Sequence, residues 1–459
     1  MMVRWVREEM QALQLNDQRR EHRARKLLSA LSQAPGASIP VACGDAHQAK
    51  AAYRFLGSQI DPAQLLAPHA EQTLCRAAGQ RRVLVALDKT ELDFTSLRNT
   101  KGLGLLDAEY GRGLKVMSAL MLSEQGLPLG LVHQQVWARE EAQKGKRHTR
   151  KQRPPQEKES WRWKVAAEAV EALVPPHLEM LLIADRESDI YFLLAMPRRE
   201  GAEYLVRSAH DRSVEAAEHR RLREAAREAP LVGRYTLEVE RSRKRRARQA
   251  ELEVRVRRVV LLPPQGGTNG KGLGPVEVSL VWARETSPVP ASEEPINWLL
   301  LSSVAVEGLE AARQAIQTYA LRWRIERFHY VLKSGCGMEK LQLERADRLE
   351  RALSLYSILA WRLLALTYRA RSDPQASSSE VLEAAEWKAL VLMRRRGKAN
   401  PAELKPPSLR EAIREIAALG GFLGRKGDGE PGVKSLWIGL RRLADFTLAF
   451  QTLHDVGNA

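Results

Sequence analysis

Twice this chain passes through a short, wholly apolar run and ends it on an aspartate. Val83-Leu84-Val85-Ala86-Leu87 stops at Asp88, and Met180-Leu181-Leu182-Ile183-Ala184 stops at Asp185. Runs of this length with no polar alternation read as strands buried in a sheet. An acid just past such a strand stands at the rim of the sheet, within reach of a metal ion. Taken alone, each is equally readable as a turn acid at a strand end. Asp93 is the alternative carboxylate in the first stretch.

A third carboxylate stands on a helix. Tyr319 to Lys333 holds no Gly or Pro, and Leu321, Ile325, Phe328 and Leu332 recur at helical spacing. At about 100° per residue, Tyr319, Arg322, Glu326 and Lys333 fall within an arc of roughly 60°, with the apolar stripe roughly 120° away. The spacing predicts one face that packs and a neighbouring face that presents a carboxylate flanked by a phenol, a guanidinium and an ammonium. Such a carboxylate suits a metal ligand that meets a phosphate. A charge-paired surface helix is the plain alternative.

The stretches between these acids supply a frame. Leu114 to Leu122 and Leu127 to Trp137 read as strands joined by a turn at Glu124-Gln125-Gly126, which makes three consecutive antiparallel strands with the first run. A basic, proline-containing loop from Glu140 to Ser160 precedes a helix that ends before Pro175-Pro176, and Tyr204 to Ser208 is a further strand. Glu187 and Asp189 read as helix-start acids that complement a helix dipole. About 140 residues separate Asp185 from Glu326, and three segments with β-type alternation predict a β-rich insertion from about 230 to 290. It carries Arg241, Arg243, Lys244, Arg245, Arg246 and Arg248 as a basic turn. Gly266 to Gly272 lacks the Gly-Lys-Ser/Thr ending of a P-loop and reads as a β-turn region. Glu294 to Ser303 returns the chain to the sheet, with Trp298 as either core or a platform for a base.

Helices occupy both ends. Asn16-Asp17 can cap a helix carrying Arg19, Arg20, Arg23, Arg25 and Lys26 beside Leu27, Leu28 and Leu31; Pro35-Gly36 breaks it, and Ala46 to Leu56 forms another. After Gly335-Cys336-Gly337 a long amphipathic helix spans about Arg345 to Arg369. Helices at 380–395 and 408–419, a glycine-rich loop and a last helix from Leu436 follow.

The totals point to a polyanionic partner. Lys+Arg 73 against Asp+Glu 56 gives a net charge of +17, a surplus that favours nucleic acid. Cys43, Cys75 and Cys336 are odd in number and widely spaced, so neither a zinc site nor a disulfide framework is expected. The most apolar late stretch, Leu353 to Leu366, is too short to span a bilayer and contains Arg362. These features predict a soluble, cytoplasmic protein.

Several motifs together resemble the bacterial insertion-sequence transposases of the DDE type. Tyr319-x-x-Arg322-x-x-x-Glu326-x-x-x-x-x-x-Lys333 is similar to their signature, and Asp185-Arg186-Glu187-x-Asp189-Ile190 resembles the surroundings of their second catalytic aspartate. Asp88 occupies the place of the first, although Lys89-Thr90 stands where the family often has Thr-Thr or Ser-Thr. The resemblance implies an α/β fold: an RNase H-like mixed-sheet catalytic core at 71–370 with the β-rich insertion, a helical DNA-end-binding domain at 1–70 and a helical dimerisation domain at 371–459. It implies Asp88, Asp185 and Glu326 as ligands of Mg²⁺, with Mn²⁺ as a substitute and two ions in the site. Arg322, Lys333 and Tyr319 would hold phosphates, Trp298 would stack on a flipped base, and Arg207 and Arg212 would lie near the cleaved strand. Arg23 and Arg54 would contact the transposon end. The implied reaction is hydrolysis at each end, hairpin formation, reopening and joining of the 3′-OH to target DNA by a homodimer on paired ends. A nuclease of the same fold without strand transfer, and an inactive end-binding repressor, are the alternatives.

Overall fold

The computed structural model describes residues 2–140, 152–215, 220–239, 247–265, 268, 270–291, 293–394 and 404–457. Most of the loop expected between Glu140 and Ser160 lies outside the described residues. So do Arg241, Arg243, Lys244, Arg245 and Arg246 of the basic turn, and Gly266, Gly267 and Asn269.

The first helices start where the sequence provides an acceptor. After α1 (Arg4–Glu9), α2 (Gln18–Gln33) begins with the Arg19 and Arg20 N–H groups donating to the Asp17 carboxylate. α3 (Ile39–Cys43) leads to α4 (Ala46–Leu56), capped by Asp45, and to α5 (Pro62–Ala77), capped by Asp61 with Pro62 in the first turn. α5 runs straight across position 70, so the chain enters the sheet region without a linker.

β1 (Arg82–Asp93), β2 (Gly104–Leu105), β3 (Arg112–Ser123) and β4 (Pro128–Trp137) form the expected antiparallel start. The β3–β4 turn holds Gly126 at φ 82°, where a Cβ would also lie 2.6 Å from Leu321. α6 (Trp161–Leu173) crosses over to β5 (Glu179–Ala184), which pairs parallel with β1. After α7 (Tyr191–Leu194), β6 (Ala202–Arg207) pairs parallel with β5. α8 (Leu222–Arg227) precedes β7 (Leu231–Val239), β8 (Arg248–Leu261), β9 (Val276–Glu285) and β10 (Asn297–Ser302). The ten strands among the described residues make one mixed sheet, ordered β2-β3-β1-β5-β6-β10-β9-β8-β7 with β4 on β3. The insertion expected at about 230–290 is β7 to β9, and it extends the central sheet through β10.

The sheet's faces are both covered. Leu84, Ala86, Leu181, Ile183 and Leu205 share a core with α2, α9 (Gly308–Leu321), α10 (Trp323–Tyr330) and α11 (Ala346–Ser372). Val83, Val85, Leu87 and Leu182 share another with α6 and α8. A third core joins the end of α11 to α12 (Ala384–Arg394), α13 (Leu409–Leu419) and α14 (Val433–Gly457). α13 opens on a reciprocal cap between Ser408 and Glu411.

The first core has no seam between the two ends of the chain. Buried Arg351 on α11 donates to the carbonyls of Leu56 (3.0 Å) and Ile60 (2.9 Å), the orphan acceptors behind α4. Gly36, at φ 77°, lies so close to Gly335 that a Cβ would stand 2.7 Å from its carbonyl oxygen, and a Cβ on Gly335 would stand 2.6 Å from Trp437 of α14. A buried polar cluster ties α1 to α5 and β4. His69 Nε2 accepts the Leu131 N–H (2.9 Å), which leaves Nδ1–H to donate to Glu9 (2.5 Å), and Arg76 donates to both Glu9 oxygens (2.8 and 3.0 Å). Burial pushes the Glu9 carboxyl up; His69 and Arg76 more than reverse that and hold it well below the usual carboxylate range.

Glu9→Gln should lower stability at pH 7 by about 2 kcal/mol, because it leaves Arg76 without its charge partner. A group held low in the folded state contributes fully above its unfolded value of 4.5 and loses that contribution as pH falls. Denaturant titrations should show the gap between wild type and variant closing below about pH 4.

Candidate active site

Strand register brings the two aspartates together. The parallel pairing of β1 with β5 ends at Leu87 opposite Ala184, and the next residues are Asp88 and Asp185. Neighbouring strands lie about 4.8 Å apart and side chains alternate, so both carboxylates leave the face that also carries Ala86 and Ile183. β1 itself runs on to Asp93, with Asp88 opposite Ser118 of β3. Asp88 therefore lies within its strand, contrary to the expected strand end, and it is the parallel partner that stops there. Asp93 has the opposite parity, is exposed, and accepts the Thr95 N–H (2.8 Å).

Asp185 leaves the sheet into a short 3₁₀ turn, Arg186–Ser188, and accepts the Glu187 N–H (2.8 Å). Burial pushes its carboxyl up, and the charge of Asp88 pushes it further. The two carboxylates thus share one buried face, and the Asp88 charge adds to the burial of Asp185.

The expected single helix from 319 to 333 is tightened at one point and widened at another. Arg322 N–H bonds to Tyr319 O (3.1 Å) and Ile325 N–H to Arg322 O (3.1 Å), three-residue steps that separate α9 from α10. At the far end Cys336 N–H reaches back to Val331 O (2.8 Å), a π-type turn over Val331–Gly335. The uniform 100° advance fails at both places. Glu326 keeps an exposed position on α10, 2.7 Å from Arg322, whose side chain is only 7% exposed. Lys333 lies 3.9 Å from Glu339.

Arg322 is the cation among the acids. Burial alone would lower its pKa, but Tyr319, Glu326 and Asp88 together raise it, so it is held charged. Its Nε is buried without a hydrogen-bond partner. His329, one turn beyond Glu326, places Nδ1 3.6 Å from Asp88 Oδ2. No motif in the sequence points to His329; its spacing of three from Glu326, which puts both on neighbouring positions of one helix face, is the one signal for it.

Other expected residues fall in different places. Tyr319 is 2% exposed and Trp298 5%, with their rings edge-on at 5.0 Å and Trp323 5.7 Å from Trp298. Trp298 alternates onto the face covered by α9 and α10, so it fills the core in this arrangement; stacking on a base requires it to be uncovered. Tyr319 is likewise inside, against the exposed phenol that the helical arc predicted. Arg212 is bound to Asp189 in a fork (Nε 2.9 Å), and Asp189, itself 1% exposed, also accepts the N–H groups of Ala209 and His210. Asp189 thus staples a loop, rather than serving a helix dipole, and Glu187 pairs with Lys89 at 2.9 Å. Arg207 is half-buried and donates to Asn297 O (3.2 Å). Arg23 donates to Gln48 (2.8 Å) across α2 and α4. Arg54 is exposed on the wall of a groove of about 710 Å³ that it shares with Lys50, Tyr53 and Arg348.

Among the described residues no three His, Cys, Asp or Glu side chains converge closely enough to hold an ion as they stand. The donor set nonetheless fits a hard divalent cation: two crowded carboxylates on one face and a third on an exposed helix position, all oxygen ligands. No helix of the described residues is long and apolar enough to cross a membrane.

Comparison with known families gives three matches. The family described as Transposase DDE domain matches residues 97–363, more than half of the chain. Transposase DNA-binding matches residues 2–60, and the Transposase Tn5 dimerisation domain matches residues 358–452. Asp185, Arg322 and Glu326 lie inside the first span; Asp88 precedes it.

A carboxylate whose folded pKa is raised costs stability above its titration range and none below it. Asp185→Asn should therefore melt higher than wild type near pH 7 without divalent ions, with the difference fading in acid. Equal or lower melting at pH 7 would remove the claim that burial and the Asp88 charge together raise the Asp185 carboxyl.

Proposed function

The chain belongs to the DDE transposase family and is a metal-dependent, DNA-binding transposase, and from that premise we propose that it cuts DNA at the ends of an insertion sequence and joins the freed 3′-OH groups to a target. The observation that supports this reading best is the register that sets Asp88 beside Asp185 under a helix bearing Glu326. We assign Asp88, Asp185 and Glu326 as the ligands of two Mg²⁺ ions, for which Mn²⁺ can substitute. When bound, such ions activate the attacking oxygen and stabilise the leaving oxygen at phosphorus.

The chain's own groups do the rest. Glu326 turns from Arg322 toward the aspartates, and the released guanidinium, with its unpartnered Nε, takes a phosphate of the scissile strand. Lys333 and Arg207 hold neighbouring phosphates. The buried surround of Arg322 keeps that contact in a low-dielectric setting, where it favours the charge that develops at phosphorus. Water opens one strand at each end, the 3′-OH attacks the opposite strand to form a hairpin, a second water opens the hairpin and frees the 3′-OH again, and that 3′-OH attacks a target phosphate and displaces the target's 3′-oxygen.

The ends divide the binding work. Helices up to about residue 70 read the transposon end, with Arg23, Arg54 and the groove beside Arg54 on phosphates. Residues 71–370 carry the chemistry, with the 230–290 strands as an extension of its sheet. Residues 371–459 pair two copies across two ends, in line with the dimerisation match.

A supercoiled plasmid carrying the native ends tests this with Mg²⁺ or Mn²⁺. Wild type should release the element as a double-strand cut with a hairpin intermediate, then insert it. Asp88→Ala, Asp185→Ala and Glu326→Ala should each bind the ends and cut nothing detectable. Cutting without any joined product would favour a nuclease; binding without cutting by wild type would favour a repressor.

A further inference from the structure

The sheet face opposite Asp88 carries charges that the reaction leaves unused. Lys89 has that parity, as do Glu91 and Lys115, which stand opposite each other across β1 and β3. The Lys115 side chain is fully covered, 2.7 Å from Asp107, 3.0 Å from Glu91 and 3.8 Å from Glu159. Arg139 pairs with Asp107 (2.8 Å) and with Glu159. Lys89, 18% exposed, lies 2.9 Å from Glu187 and 3.7 Å from Asp107. Signs alternate along the whole series, from Glu187 through Lys89, Asp107 and Lys115 to Glu91 and Glu159.

One end of this series reaches the two aspartates from behind. Lys89 is joined to Asp88 by a single peptide. Glu187 gives its N–H to Asp185 and its carboxylate to Lys89. The parallel register of β1 with β5 stops at Leu87 and Ala184, one residue short of both acids. Past that point the Lys89–Glu187 contact closes a ring across the strand pair: Asp88, Lys89, Glu187, Asp185. Two carboxylates on one face push apart, and a tie on the other face opposes the push. The other end is fixed, because Lys115 is covered on all sides and anchors Asp107, which steadies Lys89.

We propose that Lys89 is a positioning residue: through Glu187 it sets the spacing of Asp88 and Asp185, and the Asp107–Lys115 anchor sets Lys89. The proposal rests on the assignment of these two aspartates as metal ligands. Lys89 faces away from them, so it acts on their separation and not as a direct charge partner. Ligand spacing governs how well two carboxylates share an ion, and residues behind ligands commonly change metal affinity about 10–100-fold.

The test is Mn²⁺ binding to the full-length protein, read as free Mn²⁺ by electron paramagnetic resonance, alongside melting and end-DNA binding. Lys89→Met and Glu187→Gln should each weaken Mn²⁺ binding about tenfold, and the double variant should be no weaker than either single, since both remove one contact. Lys89→Arg should restore most of the affinity, and end binding should stay at the wild-type level throughout. The Glu187 side chain is 52% exposed, so Glu187→Gln keeps the test open if Lys89→Met folds poorly. Wild-type Mn²⁺ affinity in both Lys89→Met and Glu187→Gln, with affinity lost in Asp185→Asn, would overturn the positioning role. Wild-type affinity in Asp185→Asn would overturn the ligand assignment itself, and the positioning role with it.

Discussion

A parallel strand pair that stops one residue short of two aspartates concentrates negative charge where β5 ends and β1 runs on beside β3. β1 and β5 are locked by the core beneath them, Leu84 and Ala86 against Leu181 and Ile183, all almost fully buried. Each of the leucine and isoleucine side chains is worth about 1.5–3 kcal/mol when removed from water, and Ala86 less. That packing sets the backbones, and the acids have to follow them. Burial first and the Asp88 charge second raise the Asp185 carboxyl, and Arg322 is a nearby cation that moderates the rise. Helix position, sheet register and the charge series on the far face all bear on the same few ångströms.

How far this was legible in the residues varies with the range of the interaction. Buried strands and the cap at Asp17 depend on near neighbours, and they stand where the pattern puts them; Asp185 does follow its strand, while Asp88 lies inside β1. The choice of Asp88 over Asp93 follows from parity once the strand exists. The helix face failed because a uniform 100° advance ignores the tight step at Arg322 and the wide turn at Val331, which tertiary packing imposes. Trp298 and Tyr319 looked available because nothing local says that they face each other across strand and helix. The resemblance alone points Arg212 at DNA, and its fork with Asp189, on another element, has no local signal. Pairings between distant segments leave no mark in composition or period.

The fold also resists division at the positions where the sequence suggests domains. α5 runs through residue 70, Arg351 of α11 closes the carbonyls behind α4, and the strands of the insertion share the central sheet. A core that includes Leu28, Leu84, Leu353 and Trp437 is continuous from the span matched by the DNA-binding family to the span matched by the dimerisation family. Assignments of separate tasks to these regions therefore describe surfaces more than independent bodies.

The contact of Gly36, Gly335 and Trp437 draws the three regions to a single point at which two backbones and an indole touch. Two of its three members have no side chain to exchange, so there is no gradual path by which this spot can be remodelled. An inherited change at any one of them has to be answered at another. Swapping in a foreign end-recognition segment, to redirect the protein to new ends, would succeed only where the graft also carries a glycine with positive φ at the place of Gly36. The spans matched by the DNA-binding and dimerisation families thus meet, through Gly335, at a spot where neither backbone has room for a Cβ.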